Sequence, residues 1–421
     1  MTQPMFLCID LKSFYASVEC VERGLDPMTT NLVVADPDRS KNTICLAITP
    51  AMKQLGIKNR CRVREIPENV KYITAPPRMQ FYIDYAAEIY GIYLKYISKD
   101  DIHVYSIDEA FLDVTNYLPL YNLTARELGQ KIMQDVLNKT GIRATCGIGT
   151  NLYLTKVALD ITAKHSPDFI GYLDEELFKK QLWNHKPLTD FWRIGVGTQA
   201  RLERHGIYTM KDIAYADEGM LYSIFGVDAE LLIDHAWGRE TCTMSDIKSY
   251  KSSTKSLSSG QVLMRDYNFE EGKLIVKEMI ELLSLDMVSQ NLVTKSVSLY
   301  VGYSLGYEMP PARGSISFDT AVNSDKVLRD ELVKLYNRIV NKYVPIRRVN
   351  ISCNNVSNEE YVQYSLFDDV EALEKERKIQ SVVVELKNKF GKDAVLKGMN
   401  FYKAATTIER NHQIGGHKSG T

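Results

Sequence analysis

A chain of 421 residues exceeds the size at which one hydrophobic core usually keeps growing, so roughly two to four domains are expected. With 45% apolar residues, 25% charged residues and a net charge of −1, the chain is neither fibrous nor disordered throughout. No run of about 18 apolar residues offers a membrane span, and Asp10 and Lys12 interrupt the N-terminal stretch where a signal peptide would need an unbroken apolar segment. A cytoplasmic protein with no membrane partner is the expectation. The seven cysteines, Cys8, Cys20, Cys45, Cys61, Cys146, Cys242 and Cys353, are odd in number and never spaced as C-x-x-C, which argues against a disulfide framework and a zinc site. Near-neutrality hides two basic regions. From Arg39 to Arg78 there are nine Lys or Arg against Glu65 and Glu68, and from Lys248 to Asn350 fifteen against eleven Asp or Glu. Either could be a solvated face, but two of them flanking an acidic motif suggest a polyanion channel with a cation site inside.

In chain order, MFLCID reads as a short apolar strand and SFYASVECVE continues with helical spacing, so Asp10 is expected where a strand gives way to a helix. A basic stretch with turn signals at Asp36-Pro37-Asp38 and Pro76-Pro77 follows, then a core helix from Tyr82 to Ile97. HVYSI and AFLDVT look like two strands around Asp108-Glu109. TARELGQKIMQDVLNKTG is an amphipathic helix with a capping box at Thr124 and Glu127 and a stop at Gly141, and RATCGIG is a further strand. This βαββαβ order predicts an α+β unit with a ferredoxin-like antiparallel sheet. Helices are expected from Asn151 to about Asp246, and SYKSSTKSLSS reads as a linker into a second α+β unit. That unit holds helices around FEEGKLIVKEMIELLSLDMVSQ and SDKVLRDELVKLYNRIV and a strand at SVSLYVGY. Beyond about residue 356 come one helical pattern and a last dozen residues expected to be mobile.

Asp108 and Glu109 interrupt a run that otherwise suits a sheet interior. A solvated hairpin end is one reading, although Asp-Glu is a poor two-residue turn because the favoured turns use Asn or Gly. A pair of divalent cations is the other: Mg2+ prefers carboxylate oxygens, and two ions about 3.5 to 4 Å apart stabilise both the attacking and leaving oxygens of a phosphoryl transfer. Asp10 would be the third ligand.

CIDLKSFYASVE followed by YSIDEAFLDVT resembles the signature of Y-family translesion DNA polymerases. The resemblance extends through FWRIGVGTQARLERHGIYTMKDIA, which is similar to a helix-hairpin-helix, to the linker and the second α+β unit, roughly residues 5 to 355. QYSLFDD and ATTIERNHQIGGHK are similar to the bacterial UmuC-like branch. The resemblance implies a multidomain, right-hand α+β polymerase. Its palm would span residues 1–24 and 79–168, small fingers 25–78, a helical thumb 169–247, a little finger 250–355 and a tail 356–421.

It further implies Asp10, Asp108 and Glu109 as catalytic ligands of two Mg2+ ions, with the carbonyl of Leu11 helping, and Tyr15 as a steric gate against a ribose 2′-OH. For the dNTP triphosphate it implies Lys53, Lys164, Thr49, Ser13 and Phe14. Two departures stand out: Pro50 occupies a position where the family usually has Tyr, and Lys53 one where it has Arg, giving a point charge in place of a bidentate fork. Lys156 and Lys164 resemble the family's two lysines, with a spacing one residue longer than expected. For primer-template DNA, Ile194, Gly195 and Gly197 match the hairpin, and Lys251, Lys255, Arg265 and Arg313 are candidates for phosphate contacts. Gln363, Leu366 and Phe367 resemble a peptide that docks on a sliding clamp; the need for a UmuD-like accessory subunit stays open. The expected activity is DNA-directed DNA synthesis past damage, as in DNA repair and an SOS-type response. A non-catalytic DNA- or clamp-binding scaffold of the same fold is the alternative, which the intact Asp10, Asp108, Glu109 and Tyr15 disfavour. A two-metal nuclease would have no need of a sugar gate.

Overall fold

The segment FLCIDL forms strand β1 (Phe6–Leu11), buried at every position except Asp10. β1 is the centre of the first sheet of a computed structural model that describes residues 3–252, 255–364 and 369–420. The chain divides into two units, Met1–Tyr250 and Lys251–Thr421. The division falls inside the expected linker, whose last residues already belong to a strand. Among the described residues no helix is long and apolar enough to cross a membrane.

In the first unit β1 is followed by α1 (Phe14–Val21), then by a small three-stranded sheet of β2 (Leu32–Val34), β3 (Ala47–Ile48) and β4 (Ile73–Ala75), with the short helix α2 (Pro50–Gln54) after β3. Helix α3 (Met79–Tyr93) starts three residues earlier than its apolar spacing predicts and stops four earlier, because Leu94–Ile97 turn away toward a separate 3-10 turn capped by Ser98. Strands β5 (Ile102–Val104) and β6 (Glu109–Asp113), helices α4 (Tyr117–Tyr121) and α5 (Ala125–Thr140), and strand β7 (Ala144–Gly149) complete the expected βαββαβ order. The capping box of α5 forms, Thr124 N–H donating to the Glu127 carboxylate at 2.7 Å, and Gly141 ends the helix at φ 69°.

The sheet order is β5-β6-β1-β7-β8, antiparallel except for the β7/β8 pair. β8 (Ile170–Leu173) interrupts the helices that dominate this region as expected: four residues add a parallel edge to β7. Between them lies α6 (Leu152–Val157), followed directly by a π-turn over Ala158–Thr162. Six further helices, α7 (Glu175–Leu182), α8 (Val196–Glu203), α9 (Met210–Tyr215), α10 (Glu218–Phe225), α11 (Asp228–Trp237) and α12 (Met244–Ser249), follow; most contribute to a core that includes Phe178, Phe191, Leu202 and Ile213.

The second unit is a βαββαβ arrangement of β9 (Leu257–Tyr267), α13 (Phe269–Ser289), β10 (Leu292–Tyr303), β11 (Ala312–Val322), α14 (Asp325–Ile339) and β12 (Ile346–Asn354), in sheet order β11-β10-β12-β9. A two-residue strand, β13 (Ser357–Asn358), pairs with β10. Helices α13 and α14 cover one face through Met279, Leu283, Leu332 and Tyr336, which pack on Val297, Val349 and Ile351. The chain after residue 356 is part of this unit. Helix α15 (Val370–Phe390) inserts Gln380, whose amide donates to Ser284 at 2.6 Å, and helix α16 (Thr407–Asn411) is tied to the buried carboxylate of Glu278 by the Thr406 N–H at 2.8 Å. The end expected to be mobile instead closes as a hairpin of β14 (Gln413–Ile414) and β15 (His417–Lys418) with Ser419 buried.

Two glycines let helix meet sheet at the site. A Cβ on Gly147 would lie 2.2 Å from the carbonyl oxygen of Thr155, and one on Gly149 2.4 Å from the Thr155 nitrogen, so α6 lies directly on β7. Gly147→Ala is therefore expected to destabilise by about 1–3 kcal/mol through overpacking. Gly91→Ala, inside α3 with nothing within 4 Å, is expected to stabilise by up to about 1 kcal/mol. Thermal unfolding of both variants checks the pair, and a Gly147→Ala protein melting at the wild-type temperature refutes the close approach.

Candidate active site

Hydrogen-bond register brings the acidic residues together. Asp10 on β1 stands opposite Glu109 on β6, and the Leu11 N–H donates to the Asp108 carbonyl at 2.9 Å. The chain turns at residues 105–108, where the N–H groups of Tyr105 and Ser106 both donate to the Glu109 carbonyl. Asp108 is the last residue of this turn and Glu109 the first of β6, so the acidic pair straddles the strand end.

The three carboxyl groups raise one another's cost. Burial pushes the Asp10 carboxyl up to about 7, with Asp108 and Glu109 adding to it and Lys156 and Lys164 opposing it. The Asp108 carboxylate accepts from the Ser106 hydroxyl at 2.6 Å. Glu109 is turned inward, accepting from the Cys8 thiol at 3.1 Å and from the Lys156 ammonium at 2.9 Å. Burial alone would lower the Lys156 ammonium; Glu109 and Asp160 outweigh it and leave it raised. With Glu109 and Asp108 so engaged, no group of three or more Asp, Glu, His or Cys among the described residues converges on one metal position. The donor set itself fits hard divalent cations: three carboxyl groups at one sheet end, one of them raised by burial and by the other two, gain from added positive charge.

Around Asp10 gather cations, only some of which were legible in the sequence. Lys53 is lowered by desolvation while Asp10 and Asp108 raise it, and Lys12 is lowered by desolvation and by Lys53, Lys164 and Arg143 against the pull of Asp10. Lys12 and Arg143 complete this group although neither was expected; Lys12 was visible as a charge inside CIDLKSF, whereas Arg143 is delivered by its place beside β1, its carbonyl accepting from Lys12 N–H at 2.9 Å. Lys164 is exposed, 3.6 Å from Asp160, whereas Lys156 is buried against Glu109. The extra residue between these lysines is taken up by the π-turn at Ala158–Thr162.

Ser13 adopts φ 49° immediately before α1, and its hydroxyl is buried without a hydrogen-bond partner among the described residues. Phe14 is buried, and the half-buried Tyr15 ring stacks on Tyr82 with centroids 4.7 Å apart. Burial and Asp108 raise the Tyr15 phenol while Arg60 of the basic stretch opposes them, so Arg60 is a further cation of this site that was not expected. Thr49 is not delivered to the site by its side chain: it is fully buried and its hydroxyl accepts from Leu32 N–H at 3.2 Å.

A family model described as "impB/mucB/samB family" matches residues 9–160, and its C-terminal domain matches residues 254–366. The chain belongs to the impB/mucB/samB family. It is 32% identical over 419 residues to UvrX of Bacillus subtilis (strain 168), a protein named for UV-damage repair, covering 98% of this chain and 97% of that one. It is 28% identical to DNA polymerase IV 2 of the same organism, with 99% of each chain covered. Among solved structures it is similar to a Y-family DNA polymerase chimera of Dbh and Dpo4, with a TM-score of 0.65, 22% identity, and coverage of 84% of this chain and all of that one. An insertion ternary complex of Dbh DNA polymerase matches with a TM-score of 0.52. The fold is the Y-family polymerase fold.

Other expected impB/mucB/samB surface residues are placed as follows. Ile194 is buried, Gly195 caps α8, and nothing lies within 4 Å of a Cβ on Gly195 or Gly197, so the hairpin backbone is open to approach. In the second unit, Arg313 on β11 lies 5.2 Å over the Tyr300 ring on the open face of the sheet, beside a shallow concavity of ≈540 Å3 lined by Ser298, Ser315, Asn350 and Ser352. Lys251 and Lys255 are exposed near the start of this unit. Arg265 is committed to a 2.7 Å ion pair with Glu271. Gln363 lines a cavity of ≈320 Å3 beside Arg377, whereas Leu366 and Phe367 lie outside the described residues.

The raised Asp10 has a measurable consequence. Folded Asp10 keeps its proton to about pH 7 against an ordinary value of 3.8, so the folded state binds more protons than the unfolded state in this window. The Asp10 contribution to stability in EDTA is then expected to fall as pH rises between about 4 and 7. Asp10→Asn should flatten this fall and melt above wild type at pH 8 without metal. Identical pH dependence of the two proteins in a thermal-shift series refutes the assignment.

Proposed function

We propose that this chain is a DNA-directed DNA polymerase of the translesion type, acting in DNA repair and an SOS-type damage response. It would add a dNTP to the 3′ end of a primer annealed to damaged template. The observation that carries the reading is the juxtaposition of Asp10, Asp108 and Glu109 at one sheet end with Tyr15 on the helix that leaves the same strand. The primer 3′-oxygen forms a bond to the α-phosphorus, the bond from that phosphorus to the β-phosphate oxygen breaks, and pyrophosphate leaves.

Asp10, Asp108 and Glu109, with the Leu11 carbonyl, would hold two Mg2+ ions. When bound, these ions supply positive charge to the attacking and leaving oxygens. Glu109 has to turn from Lys156 and Cys8 to take part. The orphaned Ser13 hydroxyl and the free N–H groups at the start of α1, beside Phe14, are offered to the triphosphate. Lys53, Lys164, Lys12 and Arg60 add the charge that the triphosphate requires, and Thr49 supports α2 beneath Lys53. The Tyr15 ring excludes a ribose 2′-OH by contact. The backbone N–H groups around Ile194, Gly195 and Gly197 take a DNA phosphate, and Lys251, Lys255 and Arg313 track others without reading sequence. Gln363, Leu366 and Phe367 form the peptide that tethers the enzyme to a sliding clamp, raising the local concentration of primer ends.

Primer extension by the purified full chain tests the reading. Asp108→Ala or Glu109→Ala should lower nucleotide addition by on the order of 10³ while primer-template affinity stays near wild type, because affinity resides in the basic groups. Extension near the wild-type rate overturns the site. Tyr15→Ala should admit ribonucleotides, and an unchanged preference returns Tyr15 to the core. For the clamp peptide, Leu366→Ala combined with Phe367→Ala should remove only the stimulation that added clamp provides; loss of extension without clamp assigns these residues to the structure.

A further inference from the structure

Behind Tyr15 lies a buried carboxylate that the proposed reaction does not use. Glu19, on α1, is fully buried. It accepts two hydrogen bonds from the Arg78 guanidinium, at 2.8 and 3.0 Å, one from Arg23, and one from the Tyr82 hydroxyl at 2.8 Å. Burial pushes the Glu19 carboxyl up, but the bonds from Arg78, Arg23 and Tyr82 outweigh it and hold the group below the usual carboxylate range. A buried charge persists only when paired in this way, and removing one partner leaves the rest unsatisfied.

The arrangement has a direction. Tyr82, on α3, is fully buried, held at its hydroxyl by Glu19 and stacked through its ring against Tyr15 at 4.7 Å and 29° between planes. Tyr15 itself makes no side-chain hydrogen bond among the described residues; its ring is set by Tyr82 and by Phe14, 5.6 Å away. A second pair one turn on, Tyr85 Oη donating to Glu22 at 2.7 Å, already joins α1 to α3, and Arg78 lies 4.4 Å over Phe81. The two helices are thus joined elsewhere, and the Glu19 cluster adds a fixed orientation of one aromatic ring.

We infer that Glu19, acting through Tyr82 and held by Arg78, is a positioning residue for sugar selection: it fixes the plane of Tyr15 where a 2′-hydroxyl would arrive. This rests on Tyr15 being the sugar gate. A stacked ring that can tilt leaves room for an extra oxygen, so loosening its support relaxes discrimination without removing the gate.

The test is single-nucleotide incorporation of dNTP and rNTP on one primer-template by the full chain and four variants, with thermal unfolding as the folding control. Tyr15→Ala should give the largest relaxation. Tyr82→Phe, which keeps the ring and loses only the bond to Glu19, should raise rNTP incorporation relative to dNTP by about three- to tenfold, the range of one hydrogen bond. Glu19→Gln should match or exceed it, and Tyr82→Leu, which removes the stack, should fall between Tyr82→Phe and Tyr15→Ala. If Tyr15→Ala leaves the ratio unchanged, the gate reading fails. If Tyr15→Ala relaxes it while folded Tyr82→Phe and Glu19→Gln keep the wild-type ratio, or slow both sugars equally, the cluster only joins helices and the proposal is overturned. Should Glu19→Gln fail to fold, Tyr82→Phe and Tyr82→Leu decide.

Discussion

Placing Asp10, Asp108 and Glu109 within one ladder step of one another sets negative charge against negative charge at the end of an apolar sheet, and much of the first unit is arranged to offset it. β1 has to lie between β6 and β7, because only the central strand can present Asp10 beside Glu109 and receive cations from the β7 side. Gly147 and Gly149 let α6 lie against β7 closely enough for Lys156 to reach Glu109, and the π-turn that follows carries Lys164 to the exposed side. Burial, with this concentration of charge adding to it, drives the Asp10 carboxyl up to about 7.

The same constraint explains why cations come from four separate stretches of chain. Lys12 follows β1, Lys53 lies in the last turn of α2, Arg143 precedes β7 and Lys164 follows the π-turn; desolvation and the neighbouring cations lower the Lys12 and Lys53 ammonium groups, while Asp10 opposes both. Cations that repel one another in this way favour a multiply charged anion, which is the charge the proposed reaction would bring as a triphosphate.

The second unit uses buried polar contacts for a different purpose. Glu278 accepts from Asn400, Thr406 and Thr407, Gln380 reaches Ser284, and Glu359 takes a bidentate pair from Arg377. The contacts of Glu278 and Ser284 hold the last fifty or so residues against α13, and among the described residues of this unit Arg313, Tyr300 and Asn350 line a concavity on the other face of the sheet. A sheet face of Ser, Asn, Tyr and Arg side chains suits the phosphates and edges of nucleic acid better than it suits another protein core.

Much of this was legible in sequence where the signal is local. The apolar run of β1, the capping box at Thr124 and Glu127, the amphipathic periods of α5, α13 and α14, and the acid pair in SIDEAF each depend on residues within a few positions of one another. What tertiary structure decided was of longer range: β8 as a parallel edge on β7, the docking of the chain end onto Glu278, Arg143 and Arg60 drawn to the site from segments with no motif, and the partners that Cys8 and Glu19, at the two ends of CIDLKSFYASVE, find in Glu109 and in Arg78 and Tyr82. Local pattern can say that a residue lies on a strand or caps a helix, because those choices follow from backbone geometry over a few residues. Which charges meet across a hundred residues is set by strand register and by how closely two backbones approach, and neither is encoded in any single stretch of the chain.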